Sequence, residues 1–265
     1  MIKNFSIAIN DLVVCYRKRY LPLMLGWQDI KQRYRRSKLG PFWLTISMGV
    51  MIGVIGLVFG QVLNSPMVEY LPFLASGIII WNCFATSIME GCNSFIDSAG
   101  MIRQLGLPLA LYPLRVLWRN LVIFGHNIII LPFVFIIVGK EINWNFLWLI
   151  PGIFVFLLNV FWLSLFLGIL CTRFRDMPQI VNSILQVFLY VTPVIWMPNA
   201  LNARSASLLV DPNPLFHIIQ LIRAPILGVV PTMLDWLVAI MMALMGMVMA
   251  LWFYGAYKKR IAYWL

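Results

Sequence analysis

The sequence predicts an all-α integral membrane protein with six transmembrane helices. Two observations lead to this class: the chain contains six long apolar runs, and within them polar and apolar residues do not alternate as they would in a strand. Hydrophobic residues make up 62% of the 265 residues and charged residues 11%, whereas soluble domains carry roughly 25% charged residues. Each run approaches or exceeds the ~20 residues that a helix needs to cross ~30 Å of hydrocarbon. The runs are Phe42–Leu63, Leu71–Met89, Asn120–Val138, Trp144–Thr172, Met177–Ala203 and Trp236–Tyr257.

A third observation, the distribution of cations, predicts the orientation. Seventeen of the 20 Lys and Arg residues lie in the N-terminal arm, the second and fourth connections and the C-terminal tail, and only Lys140, Arg204 and Arg223 lie on the other side. The positive-inside rule then places both termini in the cytoplasm. The net charge of +11 is mostly this topological signal. No stretch is long enough to be a basic nucleic-acid-binding domain, so a nucleic-acid partner is not expected.

Residues 1–41 are interpreted as a cytoplasmic amphipathic interface segment, and residues 42–265 as the six-span membrane domain. Within the first segment, an aromatic and apolar stripe recurs at spacings of three and four residues, which predicts one face of a helix beside dense cations. Such a helix lies in the headgroup region of an anionic leaflet. A plain membrane anchor and a functional element both remain open. The stripe is Tyr16, Tyr20, Leu23, Trp27, Ile30 and Tyr34.

The connection between the second and third spans predicts a short amphipathic helix. Met101 and Leu105 share a face at four-residue spacing with Ile102 beside them, while Arg103 lies on the other side. An apolar face on a short cytoplasmic helix needs something to pack against. The membrane surface and a soluble partner are both open at this point.

The segment from Thr192 to Pro231 is broken by six prolines yet keeps apolar groups, which predicts short re-entrant helices before the last span. His217, Gln220 and Arg223 follow at three-residue spacing and form one polar face. Irregular backbone at membrane depth is tolerated only inside protein or beside an aqueous cavity. A gate at the mouth of a pathway and a packed lid are the two interpretations.

The inventory of reactive residues does not support an enzyme. There is no phosphate-binding loop of the Walker type, no Cys and His spacing typical of a metal site, and one histidine, His126, inside a predicted span. A membrane enzyme acting on polyprenyl phosphates would need clustered Asp, His or Arg at one face. The chain is therefore expected to bind no cofactor or metal itself, so that any work is driven from outside, unless it is a structural scaffold.

Several segments together carry a resemblance to a known family. They are Arg33–Trp43 before the first span, Asn93–Pro108 followed by Leu111–Leu114, Arg173–Asp176, Thr192–Ile195, and Asn213–Pro214 with Arg223. In order and spacing the chain resembles the membrane subunits of type 2 ABC exporters, and most closely their polysaccharide branch of O-antigen (Wzm-type), capsule and teichoic acid exporters. Gly106 departs from the pattern, because the family often carries an aromatic residue there.

The resemblance implies a permease in the bacterial cytoplasmic (inner) membrane that works as a pair of identical copies with two ATPase subunits. Those subunits bind ATP and Mg. In this family the loop between spans two and three is a coupling helix that docks on the ATPase, which assigns Met101, Ile102, Arg103 and Leu105 to that role. The polymer, carried on a polyprenyl pyrophosphate lipid, passes between the copies along spans one and five, and the re-entrant helices form the gate, which assigns that role to His217, Gln220 and Arg223. Export of a drug or small lipid by the same fold is the alternative.

Two sets of residues are expected to meet this substrate. Arg33, Arg35 and Arg36 near the cytoplasmic mouth have the guanidinium groups that pair bidentately with pyrophosphate, although attraction to anionic lipid heads explains them equally well. Aromatic rings stack on the C–H faces of sugars, while a bilayer-interface belt is the competing interpretation. The aromatic candidates for the channel lining are Phe42, Trp43, Phe188, Tyr190 and Trp196.

Overall fold

The computed structural model describes residues 2–35, 40, 42–63, 65–141, 143–200, 202, 204 and 208–265, and the regular elements within these ranges are all helical. Two short 3₁₀ helices, Trp144–Trp148 and Pro198–Ala200, accompany the α-helices. The α-helices are α1 (Ile2–Arg17), α2 (Tyr20–Tyr34), α3 (Phe42–Val62), α4 (Met67–Asn93), α5 (Ala99–Gln104), α6 (Leu111–Ile128), α7 (Ile130–Val138), α8 (Leu149–Arg173), α9 (Met177–Val191), α10 (Pro214–Ile226) and α11 (Met233–Trp264).

Five helical stretches are long and apolar enough to cross a membrane: α3, α4, α6 with α7, α8 with the 3₁₀ turn before it, and α11. They coincide with five of the six predicted spans. The predicted run Met177–Ala203 differs, because α9 ends at Val191 after 15 residues, about 22 Å of helix. Proline at position 193 disfavours helical backbone at Thr192, which is extended. The expectation of one helix from Met177 to Ala203 was therefore wrong.

The third stretch is interrupted once, between α6 and α7. Ile129 leaves the α-helical hydrogen-bond pattern, and its N–H donates instead to the carbonyl of His126 at 3.3 Å. Pro132 explains the break, since its ring crowds the carbonyl four residues earlier and it donates no hydrogen bond. Gly139 then ends α7 with a φ of +70°, a left-handed conformation that glycine adopts without strain.

Helix α4 is the centre of the bundle. It packs against α3, α6, α7, α8, α9 and α10, and 83% of its most apolar window is buried, compared with 11% for α3. Small residues permit this close packing, because helices in a membrane associate through close backbone approach. Gly91 of α4, for example, lies against Ser164 and Gly168 of α8.

The two ends of the bundle differ in charge. The basic end contains α1, α2, α5 and the adjoining ends of α6, α8 and α11, and the opposite end contains the segment from Thr192 to Thr232 and the turn at Gly139. The predicted stripe is divided between two helices, because Tyr16 lies near the end of α1 whereas Tyr20 and the later members lie on α2. Its first four members are exposed and Ile30 is buried. The sequence analysis did not predict the helix before Tyr16. Helix α1 packs along the C-terminal half of α11, where its backbone at Asn4 lies directly over Gly255.

Candidate functional site

A network of ion pairs joins three helices at the basic end. Arg119 of α6 donates to Glu90 of α4 at 2.7 Å and to Asp29 of α2 at 2.8 Å. Arg115 donates to both carboxylate oxygens of Asp29, and Arg33 donates to Glu90 at 3.0 Å. We call these five residues with Asn120, which donates to Glu90 at 2.7 Å, the basic-end network. Glu90 thereby joins α2 to α4 and α6.

The arginines proposed to hold a lipid pyrophosphate differ in how far they are already engaged. Arg33 is committed to Glu90, and although burial opposes its charge, the hydrogen bond to Glu90 and the charge of Glu90 raise the pKa of the guanidinium. Arg35 is exposed just after α2. Arg36 lies outside the described residues. Of the two described arginines, Arg35 is thus the one better placed to meet a ligand from solution.

A second polar junction, centred on Asp11, ties α1 to the rest of the chain. The Asp11 carboxylate is buried and accepts hydrogen bonds from Tyr254 Oη at 2.5 Å, Lys258 Nζ at 2.5 Å and the Ala110 backbone N–H at 3.2 Å. Burial and the charge of Asp11 raise the pKa of the neighbouring Cys15 thiol to about 11, so this thiol stays protonated. We call Asp11, Ala110, Tyr254 and Lys258 the Asp11 junction. It connects α1, α11 and the segment that follows α5.

The predicted coupling segment forms a short helix of six residues. Helix α5 ends at Gln104, and the N–H of Leu105, the extended residue that follows, still donates to the Met101 carbonyl at 2.8 Å. Met101 and Ile102 are half-buried against the cluster formed by α1, α8 and α11. Arg103 and Leu105 are exposed, Leu105 to 49%. Of the four predicted coupling residues, Arg103 and Leu105 are therefore the two exposed to a partner.

The aromatic residues proposed for the channel lining fall into two groups. Phe42 and Trp43 at the start of α3 are more than half exposed, and Phe42 contacts the ring of His126 edge-on. Tyr190 near the end of α9 is also exposed. Phe188 and Trp196 are half-buried, and the Trp196 indole donates to the Tyr190 carbonyl at 2.8 Å.

Helix α9 carries an uncharged polar stripe that the sequence analysis did not single out. Five of its residues recur at three- and four-residue spacing and therefore lie on one face, and all five are exposed. A cavity of about 230 Å³ opens between this helix and α4, with Trp81 and Thr86 on the α4 side. Amphipathic spacing within the predicted fifth run was the signal that could have found the stripe. Its members are Gln179, Asn182, Ser183, Gln186 and Tyr190.

At the opposite end, three of the sequence motifs meet around one turn. The turn at 192–195 is held by Tyr70 Oη, which donates to the Ile195 carbonyl at 2.7 Å, and by Asn213 Nδ2, which donates to Thr192 Oγ1 at 2.9 Å. Arg223 Nη1 donates to the Pro193 carbonyl at 2.5 Å. This turn connects the end of α9 to the segment that leads to α10.

Two of the three predicted gate residues on α10, His217 and Arg223, are buried, and Gln220 is half-buried. Arg223 is fully buried, lies over the ring of Phe73 at 4.2 Å and donates through Nε to Gln220 at 2.8 Å. His217 is buried between Asp235 of α11, at 2.7 Å, and the Asp211 carbonyl, at 2.8 Å. Within this chain His217 and Arg223 thus attach α10 to its neighbours rather than face an aqueous mouth. Their predicted role in gating stays a prediction.

Neither a metal site nor a disulfide framework stands out among the described residues. No group of three His, Cys, Asp or Glu side chains in these ranges is close enough to hold a metal ion. All four cysteines are buried free thiols. The functional features of the described chain are its charged junctions, its exposed helix faces and its turn at the opposite end.

Comparisons with known proteins agree with this arrangement. The family model described as ABC-2 type transporter matches residues 22–227. An O-antigen export system permease protein RfbA from Myxococcus xanthus is 25% identical over 210 residues, which cover 79% of this chain and 81% of that protein. Two permease proteins of the same description from Klebsiella pneumoniae are each 26% identical over 194 residues, which cover 72% of this chain and 74% of each relative.

Proposed function

This chain belongs to the ABC-2 type transporter family, and from that premise we propose that it is the permease subunit of an ATP-driven exporter of a polysaccharide linked to polyprenyl pyrophosphate. The observation that carries the proposal is the similarity to three O-antigen export permeases over about three quarters of their length. The ATP is hydrolysed by partner subunits that bind ATP and Mg. The exported glycan is of the O-antigen type or of the capsule or teichoic acid type.

Coupling to the ATPase is proposed to occur through the segment after α4. Arg103 and Leu105 are exposed at the basic end, and this segment continues into Ala110, whose N–H donates to Asp11. Force applied at Leu105 would therefore reach α1 and α11 through the Asp11 junction. The same end carries the basic-end network, which links α2 to α4 and α6. The Asp11 junction thus connects the docking segment to α1 and α11, and the basic-end network fixes α2 to the spans beside it.

The pathway is proposed to lie between two copies of the chain, along the exposed faces of α3 and α9. The window of α3 is only 11% buried, and the polar stripe of α9 would be unfavourable against lipid, because unpaired amides in hydrocarbon lose their hydrogen bonds with water. A glycan chain satisfies those amides through its hydroxyl groups. Tyr190 offers an exposed ring for the sugar C–H faces. The opening between two copies thereby accommodates a polymer that a single bundle is too small to surround.

The pyrophosphate is proposed to meet Arg35, which is exposed and adjoins Arg33 at the end of α2. Arg33 is less available because Glu90 already accepts its hydrogen bond. Replacing Arg35 by Gln should reduce export while leaving the amount of folded protein in the membrane unchanged. If export and the amount of folded protein fell equally, only an anchoring role would remain for Arg35.

The experiment that tests the function is deletion of the chain in its native cell, followed by complementation. We expect surface polysaccharide to disappear and lipid-linked glycan to accumulate in the inner leaflet, with both restored by the wild-type chain. Normal surface polysaccharide in the deleted cells would overturn the proposal. The matched site test replaces Asn182 and Gln186 by Leu, with Val187→Leu on the same helix as control, and we expect only the amide variant to lose export.

Export of a drug or small lipid is the second candidate, and it is favoured by the apolar cavity of about 250 Å³ between α9, α8 and α4. The two candidates are separated by the ATPase activity of the assembled complex. Stimulation by lipid-linked glycan supports polysaccharide export. Stimulation by small amphiphiles alone supports the second candidate.

A further inference from the structure

Some cations at the basic end are paired with carboxylates, and two that are not lie together beside a cavity. Arg33, Arg115, Arg119 and Lys258 each form an ion pair with a carboxylate. Arg173 at the end of α8 and Arg260 on α11 have no carboxylate partner within the described part of the chain. They rest on aromatic rings instead. These two guanidinium groups keep N–H edges for an anion that the protein itself does not supply.

Aromatic side chains hold these two cations in place. The Arg173 guanidinium lies 5.7 Å from the ring centre of Phe174 and 5.6 Å from that of Trp264, and Arg260 lies 5.7 Å from that of Tyr257. Contacts of this kind occupy the faces of a guanidinium and leave its edges available. The rings continue as a ladder, with Tyr257 centred 4.6 Å from Phe253 and 5.6 Å from Trp264.

The two arginines and these rings enclose a cavity of about 420 Å³ between the ends of α8 and α11, which is within the roughly 300–1,000 Å³ of small-molecule sites. Ile169 and Leu170 complete its wall on the side of the membrane core. The cavity thus has a cationic rim and an apolar wall. That combination matches an anion with a hydrocarbon chain attached.

We propose that this cavity, the Arg173–Arg260 site, binds an anionic phospholipid, with the phosphate on the two guanidinium groups and the first part of an acyl chain along the apolar wall. Helix α11 has 32 residues, or about 48 Å, so its last turns extend beyond ~30 Å of hydrocarbon into the headgroup level. A phosphodiester is the anion available at that depth. The proposal does not depend on which substrate the protein exports.

The position of the site favours a resident phospholipid over the exported lipid. Helix α11 packs mainly on α8, α1 and α10, whereas α3, the proposed pathway helix, packs on α4 and α6. The Arg173–Arg260 site therefore lies apart from Phe42 and the start of α3, where α8 meets α11. A lipid bound there stabilises the join between α8 and α11.

If only a general attraction to anionic lipid acted, removing one Lys or Arg near the surface should weaken phospholipid binding about fivefold. A built site should lose more, roughly tenfold or more for each guanidinium, because charge-assisted hydrogen bonds are lost in addition. Lys259, exposed beside Arg260 on α11, provides the matched control. The change Lys259→Gln removes one positive charge from the same helix, and Lys259 does not line the cavity.

The test uses the full chain purified in detergent and offered phosphatidylglycerol and phosphatidylcholine together, with retained lipids counted by native mass spectrometry. We expect the wild-type chain and Lys259→Gln to retain phosphatidylglycerol in preference, and the Arg173→Gln/Arg260→Gln variant to lose that preference. Equal losses in the double variant and in Lys259→Gln, or no preference in the wild type, would overturn the proposal. Preferential displacement of phosphatidylglycerol by polyprenyl pyrophosphate would also overturn it. If the double variant fails to fold, the single exposed change Arg260→Gln makes the same comparison.

Discussion

Replacing Asp11 by Asn tests whether the Asp11 junction holds α1 onto the last span. The carboxylate of Asp11 is 5% exposed and accepts three hydrogen bonds, from Tyr254, Lys258 and the Ala110 N–H. The amide that replaces it has one acceptor oxygen, and its NH₂ group faces a donor. The substitution therefore removes the charge that pairs with Lys258 and leaves at least one donor unsatisfied.

The magnitude follows from those lost bonds. A hydrogen bond to a charged group contributes about 1.5–3 kcal/mol and a neutral one about 0.5–1.5 kcal/mol. Lys258 is 27% exposed and can reach water, so we take the lower half of each range. We therefore expect the free energy of unfolding to fall by about 3 kcal/mol. At about 2–4 °C per kcal/mol for a domain of this size, the midpoint of thermal unfolding should fall by about 6–12 °C.

The assay is thermal unfolding of the full chain in detergent, followed by fluorescence-detected gel filtration. Asp176→Asn, an exposed carboxylate at the start of α9 with no side-chain cap, is the control and should change stability by no more than about 0.5 kcal/mol. In the Asp11→Asn background, Lys258→Met should then cost little, because the pair is already broken. A midpoint equal to that of the control, or additive losses in the double variant, would refute the reasoning.

Three further perturbations follow from the same contacts. Leu105→Asp should weaken association with the partner ATPase at least tenfold, since burying a leucine at an interface contributes about 1.5–3 kcal/mol, and pull-down of the assembled complex measures this. Glu90→Gln should destabilise the chain by about 1–2 kcal/mol, less than Asp11→Asn because Glu90 is 25% exposed, as thermal unfolding will show. Gly255→Ala should cost about 1–3 kcal/mol, because its Cβ would lie 2.0 Å from the Asn4 carbonyl oxygen.

Each of these variants has a counterpart elsewhere in the chain. Leu208→Asp changes an exposed leucine at the opposite end and should leave ATPase association intact. Glu69→Gln removes an exposed carboxylate of the same helix as Glu90, and an equal loss in both would contradict the role of the network. Gly125→Ala adds a methyl where no atom lies within 4 Å; if it destabilised as much as Gly255→Ala, close helix packing would not be the cause.

Much of the helix pattern could be predicted from the sequence, because an apolar run of about 20 residues has few alternatives in a bilayer. The exception was the run after Met177, where hydrophobicity continues past Pro193 although the helix does not. Charge counting separated the basic end from the other end. It did not reveal which cations are paired, since Asp29 and Arg119 are 90 positions apart and meet only when α2 packs on α6.

The candidate site was less accessible to sequence reasoning for the same reason. The polar face of α10 was correctly predicted as a face, but its direction was not, because His217 turns inward only where Asp235 of the next helix accepts its hydrogen bond. Met101, Ile102 and Leu105 were predicted as one apolar face, yet Met101 and Ile102 pack against the protein's own helices and only Leu105 of the three is exposed. In each case a local pattern was present, and a contact with a distant segment decided its meaning.

The sequence by itself determined the membrane class, the approximate positions of five spans and the charge difference between the two ends, because hydrophobicity and charge act on each segment separately. Only the tertiary structure decided that α4 is central, that α1 rests on α11, that Arg33 is paired with Glu90, and that Arg173 and Arg260 are not paired with carboxylates. These properties depend on which helices are neighbours. In a uniformly apolar bundle hydrophobicity does not select neighbours, and small residues and buried hydrogen bonds do so instead.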